Sequence, residues 1–380
     1  MPPRVLVVTP CYPRFPGDFN GGFVRDLCLR LAERGVDLAV LAPRSRTMGL
    51  QDAPYPVRRF PYLPLQVAES LPEETMKGAP LGRLVQLLPY MASAIIHASA
   101  GEPALIHSHI AIPLGFAISL APVKAPRIIT CHGSDCTLPL DNPAYRPFTR
   151  HALRRADAVV TVSKYVETLA RRLGARNVET IYLGVDTLRF KPPVDRRALR
   201  AGFGVPDGAL VVGTLGRLVC EKNIPDLIEA AETVSKKLDA FFLVGGDGPE
   251  RLRLEAVARE KGLSNMVFTG AVRDAPSFLG LLDVFTLPSS REGLSLSLQE
   301  AMATGCVPVS ANGHGSDEVI EEGENGFLHP PGDAAALAEK IIEAADSLHL
   351  SKKARSTIVQ RFDAEVGADL YAELYHRLAF

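Results

Sequence analysis

The stretch "DVFTLPSSREGLSLSLQEAMATGCVPVSA" (283–311) holds a β-branched apolar run, a turn, a helical segment and a second apolar run. "DVFTLP" reads as a buried strand that stops at Pro288, and Gly293 in "SSREGLS" is free to adopt backbone conformations that other residues resist. Ser295 stands at an N-cap position, so a helix is expected from about Leu296 to Thr304 with Gly305 as its stop signal. "CVPVSA" then begins the next strand. Strand, helix and strand in this order, with both strands apolar, is the βαβ pattern of a parallel sheet.

Two carboxylates bracket that helix start. Glu292 falls in the loop above the strand and Glu300 about a turn and a half into the helix. Between them lie the unpaired backbone amides of a helix N-terminus, a ready phosphate site. On this reading the segment lacks charge because it is largely buried, and each carboxylate can accept from hydroxyls at one end of a bound diphosphate. Taken alone, the same pair also fits an exposed loop glutamate and a partner of the helix dipole.

The same rhythm extends outward in both directions. "LVVGTLG" (210–216), "FFLVGG" (241–246) and "MVFTG" (266–270) are expected strands, with helices around 224–236, 249–262, 295–304 and 333–345. Before them "RVLVVT" (4–9), "DLAVLA" (37–42), "RIITC" (127–131), "DAVVTVS" (157–163) and "VETIYLG" (178–184) alternate with helical stretches such as 21–35. Residues 45–100 fit less well, and helices expected around 81–100 carry much apolar surface. "RFKPPVDRRALR" (189–200), with paired prolines and charges, reads as a linker. The fold class is therefore α/β, two doubly wound Rossmann-like domains facing across a cleft, with ligands at the strand carboxyl ends. The expected domains are 1–190 and 191–363.

Composition agrees with two globular domains: 380 residues, 47% apolar and 22% charged. Net charge is −1, yet residues 1–192 carry 23 Lys+Arg against 15 Asp+Glu, and the remainder 19 against 28. A basic half suggests an anionic ligand or a membrane surface on that side, though drift between two solvated surfaces gives the same numbers. The six cysteines form no CxxC pair and no signal peptide is apparent, which predicts a reduced, cytoplasmic protein, at most resting on the inner membrane face. The longest uncharged stretch, "PALIHSHIAIPLGFAISLAPV" (103–123), reaches spanning length, but its histidines and prolines make it a buried strand, turn and helix.

Three loops carry the remaining chemistry. "GTLGRLVCEKN" (213–223) follows a strand and presents Arg217 and Lys222, two cations where a diphosphate could be neutralised. "TPCYPRFPGDFNGGFVRD" (9–26) puts Gly21 and Gly22 at a helix start, allowing close approach of an anion; it is not a G-x-G-x-x-G fingerprint. "ITCHGSD" (129–135) sets His132 just beyond a strand end. No Walker A sequence, G-x-S-x-G elbow or metal-spaced cluster appears, which argues against P-loop nucleotidases, serine hydrolases and a metal site.

Together "GRLVCEKN", "LVGGDGPE", "VFTGAV" and "REGLSLSLQEAMATGCVPVSA…NGFL" resemble the donor domain of glycosyltransferase family 4, retaining enzymes of the GT-B fold. "GGFVRDLCLRLAERG", "CHGSD" and "VTVSKYVE…IYLGVDTLRFKP" are similar to its acceptor domain. The resemblance implies a metal-independent hexosyltransferase that needs no cofactor and uses a UDP- or GDP-linked sugar as donor. It implies that Arg217 and Lys222 stabilise the departing diphosphate, with backbone at Gly293, Leu294 and Ser295 sharing that load. Glu292 would touch the donor sugar, Glu300 the ribose, and Val272 the base. Gly22 would meet the diphosphate from the first domain, and His132 would sit by the reacting carbon. The acceptor would be a glycan, a lipid-linked sugar or a small sugar-like molecule, in cell-surface polysaccharide or glycolipid synthesis; nucleic acid is not expected. The last helix, 364–380, would return to the first domain. A nucleotide-sugar epimerase of the same fold, or a sugar-nucleotide-binding protein without turnover, are the alternatives.

Overall fold

A computed structural model describes residues 5–18, 20–46, 49, 53–62 and 87–379. The chain divides into two compact units: residues up to Leu183 together with those from Glu365 on, and Gly184–Ala364.

The first unit is a seven-stranded parallel sheet in the order β3-β2-β1-β4-β5-β6-β7. Its strands are β1 (Val5–Val8), β2 (Leu38–Pro43), β3 (Val57–Phe60), β4 (Leu105–His109), β5 (Arg127–Cys131), β6 (Ala158–Thr161) and β7 (Val178–Thr180). β1, β2, β4 and β6 are buried throughout, as strands covered on both faces must be. Against one face pack Val24, Leu27 and Leu31 of the helix Gly22–Glu33, together with Tyr371 and Tyr375 of the last helix, Ala364–Ala379. Against the other pack Tyr90, Ala94 and Ala98 of the helix Leu87–Ser99, with Leu114 and Ile118. Leu88 and Ile96 of that helix remain exposed. Residues 63–86, which include the start of the helices expected around 81–100, lie outside the described residues. The uncharged stretch 103–123 folds as β4, a tight turn and one turn of helix, all largely buried. No helix among the described residues is long and apolar enough to cross a membrane.

The second unit is a six-stranded parallel sheet in the order β10-β9-β8-β11-β12-β13. Its strands are β8 (Leu210–Leu215), β9 (Ala240–Gly245), β10 (Met266–Gly270), β11 (Val284–Leu287), β12 (Val307–Ala311) and β13 (Phe327–His329). One core forms where the helices Ile224–Ser235 and Ala334–Asp346 cover the sheet, through Leu227, Ile228, Ala231, Leu337 and Ile341. In both sheets the order reverses direction once, between β1 and β4 and between β8 and β11. These are the switch points at which doubly wound sheets bind ligands.

The linker expected at 189–200 is corrected. Those residues belong to the second unit, and Arg196–Gly202 is a helix capped by Asp195, whose carboxylate accepts from Ala198 N at 2.9 Å. The paired prolines are packing residues, Pro192 lying against Gly305 and Pro193 against Gly280. Arg355 holds the segment down by donating to the carbonyls of Phe190 (3.0 Å), Thr187 (3.3 Å) and Ala303. Prolines and charges mark irregular backbone, but not whether it is free of neighbours. The chain enters and leaves this unit side by side, Val185 N donating to Phe362 O and Ala364 N to Val185 O.

Candidate active site

In the second unit the loops that follow β8 and β11 leave the sheet from its switch point. The β8 loop forms a short 3₁₀ turn, Cys220–Lys222, and Asn223 then takes a left-handed conformation (φ 49°) to start the next helix. From that turn Lys222 Nζ donates to Glu292 Oε1 at 2.6 Å, the two side chains being 23% and 14% exposed. The loops are also tied by backbone, Ser290 N donating to Glu221 O at 2.9 Å. Arg217 is exposed on the same β8 loop.

The "GGDGPE" turn after β9 supports this loop from behind. A Cβ on Gly246, which sits at φ 122°, would collide with the carbonyl of Gly216, and one on Gly248 with the carbonyl of Leu218. Only glycines permit that contact of backbone on backbone. The Lys222 side chain lies against Gly216, its Cε 3.5 Å from where a Cβ would stand, at ordinary contact distance.

The helix after β11 runs from Leu296 to Ala303, with Ser295 Oγ accepting from Leu298 N at 3.3 Å. Its first turn has no acidic residue, so the amides retain their positive end. Gly293 and Leu294 are partly exposed beside it, braced by Gly315, where a Cβ would stand 2.7 Å from Gly293 O. Glu300 is half-buried in the second turn, and Val272 is partly exposed in the loop after β10.

In the first unit, β4 and β5 end in a chain of histidines. His107 Nδ1 meets Tyr375 Oη at 2.6 Å and its Nε2 meets Thr130 Oγ1 at 2.7 Å. His109 Nδ1 meets His132 Nε2 at 3.0 Å, the rings nearly parallel at 5.2 Å, and Phe23 packs on His132 at 5.0 Å. Burial holds His107 down to about 3 and His132 to about 4, and burial with its two neighbours holds His109 well below its ordinary value. All three rings are therefore neutral, and the His109–His132 pair shares one proton. His109 Nε2 is buried with no hydrogen-bond partner among the described residues. An orphaned N–H there costs more than a lone pair, which assigns the His109 proton to Nδ1 and makes His132 Nε2 the acceptor. His132 then carries its own proton on Nδ1.

Asp135, 2% exposed, fixes the backbone of this turn. It accepts from His132 N and Gly133 N at 3.0 Å and from Ala111 N at 2.9 Å. Burial raises its carboxyl while those three amides oppose the rise. Cys131, Asp135 and Cys136 bring possible ligand atoms within 4.8 Å of one another, a grouping that sequence spacing does not reveal. The carboxylate is already taken up by amides, and both thiols are pushed above their ordinary value. At the helix start, Gly21 has φ 75° and a Cβ there would strike the backbone of Cys11, so the chain itself requires this glycine. Gly22 faces open space.

The structure thus brings Lys222 to Glu292, and seats Gly293, Leu294 and Ser295 at the adjoining helix start. Arg217, Glu300 and Val272 stand on elements at the same sheet edge. His109 and Asp135 were missed from sequence. The available signal was the "HSH" of β4, since a spacing of two puts both histidines on one face of a strand.

A charged switch-point loop set against a capped helix start, in one of two doubly wound units, defines the GT-B class. The sequence pattern described as "Glycosyltransferase Family 4" matches residues 21–189, and that described as "Glycosyl transferases group 1" matches residues 195–370. The 2-deoxystreptamine N-acetyl-D-glucosaminyltransferase of Streptomyces fradiae is 30% identical over 96% of this chain and 94% of its own. The chain belongs to glycosyltransferase family 4. Its fold matches the sucrose-phosphate synthase of Thermosynechococcus elongatus (TM-score 0.85, 21% identity, 99% of each chain). It also matches Anabaena HepE in complex with UDP-glucose (TM-score 0.76, 22% identity, 99% of this chain and 100% of that one).

Proposed function

We propose that this protein is a retaining, metal-independent hexosyltransferase that moves a sugar from a UDP- or GDP-linked donor to an acceptor hydroxyl. The observation that carries the reading is the Lys222–Glu292 pair at the switch point of the second sheet, beside a helix start that holds no acid. A donor diphosphate at this edge accepts from Lys222, Arg217 and the amides around Gly293–Ser295. Those groups stabilise the charge that grows on the phosphate as the glycosidic bond breaks, and fixed donors aimed at developing charge are the strongest means such a site has of lowering the barrier. Glu292, held by Lys222, accepts from sugar hydroxyls; Glu300 accepts from the ribose; Val272 lies against the base.

His132 enters with its proton on Nδ1 and its Nε2 occupied by His109, so it acts as a hydrogen-bond donor to the sugar and not as a base. The acceptor proton then goes to the leaving phosphate, on the face where the bond was broken, and the anomeric configuration is retained. The epimerase alternative needs no acceptor. A glycan, a lipid-linked sugar or a small cyclitol serves as acceptor in this reading, and the aminocyclitol of the Streptomyces fradiae relative supports the small end of that range.

The test is a thermal-shift panel with UDP, GDP, ADP and their sugar derivatives in the presence of chelator. Selective stabilisation by one nucleotide, lost in Lys222→Ala, supports the donor assignment. Inversion of the free nucleotide sugar with no acceptor present would replace transfer by epimerisation.

A further inference from the structure

We propose that an arginine-lined cavity on the first unit, remote from the histidine chain, binds a phosphate-bearing group with two or more negative charges. The cavity, of about 1050 Å³, is lined by Arg146, Arg150, Arg154, Arg155, Arg172 and Arg176. Among the described residues none of the six is paired with a carboxylate, Arg146 donating only to the carbonyls of Pro139 and Leu140. Four other arginines on this unit do find acids: Arg30 holds Glu365, Arg34 holds Asp369, Arg171 holds Glu167 and Arg377 holds Glu179, all at 2.6–2.8 Å.

Arg146, Arg150 and Arg154 recur every four residues along the helix Arg146–Arg155, so they form one stripe of like charge, which by itself destabilises a helix. The helix dipole accounts for cations in the last turns, at Arg154, Arg155 and Arg172, but not for Arg146, Arg150 or Arg176. His151, between the arginines, also lines the cavity, and its Nε2 is buried without a hydrogen-bond partner among the described residues. An anion accepting from the arginines compensates them together. Guanidinium forks match phosphate oxygens two at a time, and a single charge would leave most of the cluster uncompensated.

The cavity is separate from the candidate active site. The helices carrying Arg154, Arg155 and Arg172 end just before β6 and β7 begin, at the amino ends of parallel strands. His132 stands at the carboxyl end of β5, the opposite edge. The phosphate can come from a soluble diphosphate or from lipid headgroups, and occupancy of the cavity is independent of the transfer chemistry.

The experiment uses the full chain with two probes, inorganic pyrophosphate by titration calorimetry and vesicles containing cardiolipin, whose headgroup carries two phosphates, by co-sedimentation. Arg150→Gln/Arg154→Gln is expected to lower binding by at least about tenfold. Arg58→Gln/Lys124→Gln, which removes the same charge elsewhere on the first unit, should leave it unchanged, while Lys222→Ala should lower only the share of pyrophosphate held at the candidate donor site. Pyrophosphate binding that follows this pattern identifies a site for soluble phosphates; vesicle binding alone that follows it identifies headgroups. Failure of both probes to bind, or equal loss in the Arg58→Gln/Lys124→Gln control, overturns the proposal.

Discussion

Lys222 and Glu292 are joined by a 2.6 Å hydrogen bond between charged groups from two different loops of the second sheet. The ammonium therefore does not wait in solvent. The carboxylate holds it over Gly216, and an arriving diphosphate must share or displace that carboxylate.

This competition sets a pair of expectations for nucleotide binding. Lys222→Ala should weaken diphosphate binding or turnover by about 10²-fold, roughly 2.7 kcal/mol. Glu292→Gln should tighten binding of the free nucleoside diphosphate, because Lys222 is released from its partner, while slowing transfer. Calorimetry with UDP and GDP decides the matter, and weaker binding in Glu292→Gln would mean that the carboxylate orients the lysine more than it competes.

Gly246→Ala tests the support behind the donor loop. With φ 122° and the Gly216 carbonyl in the way, a methyl group forces Gly216 and Arg217 to move. Loss of nucleotide affinity is expected together with a lower melting temperature. A variant that melts early yet binds normally would dissociate the β9 turn from the site.

His132→Ala should reduce kcat more than donor affinity. His109→Phe, which keeps a ring but removes the hydrogen bond, should leave nucleotide binding intact and lower kcat by roughly tenfold, in the range of a misplaced donor. Nitrogen-15 shifts of His132 provide the check that bulk structural damage would not mimic: a proton on Nδ1 in the wild type, and a mixture of tautomers in His109→Phe. A wild-type proton on Nε2 would reverse the assignment.

Stability should fall on acidification through these same rings. In the unfolded chain a histidine titrates near 6.5, whereas folded His107 takes its proton only at about 3 and His109 well below its ordinary value. Between those limits the unfolded state holds more protons. The stabilisation is complete above pH 6.5 and is lost as the pH falls toward 3, at up to about 1.4 kcal/mol per pH unit for each ring. Asp135, whose folded carboxyl is raised, acts in the opposite sense. Urea midpoints at pH 7.5 and 5 should differ in the wild type, and less so in His107→Gln.

Asp135→Ala removes the acceptor of three backbone amides in the His132 turn. Each buried N–H left without a partner costs about 1–3 kcal/mol, so a loss of at least ~3 kcal/mol is expected by chemical denaturation. A loss under 1 kcal/mol would mean that water replaces the carboxylate.

By itself the sequence determined the two doubly wound sheets, because strand and helix periods are local: "DVFTLP", Ser295 and Gly305 specify a strand, an N-cap and a stop with no outside reference. It also pointed to Lys222, Arg217, Glu292 and Glu300 through the spacing of a known family. Strands β3 and β13 escaped notice, because "VRRF" sets two adjacent arginines where an apolar run is looked for and "FLH" has no β-branched residue. So did the packing of 184–195 on the second unit, where proline content looks the same in a free linker and in a strap tied to its neighbours. Tertiary structure alone decided that Lys222 meets a carboxylate 70 positions away, that His109 meets a ring 23 positions away, and that six arginines meet no acid among the described residues. Such pairings depend on the order in which strands are laid side by side, and strand order is set by long-range packing that no local period encodes.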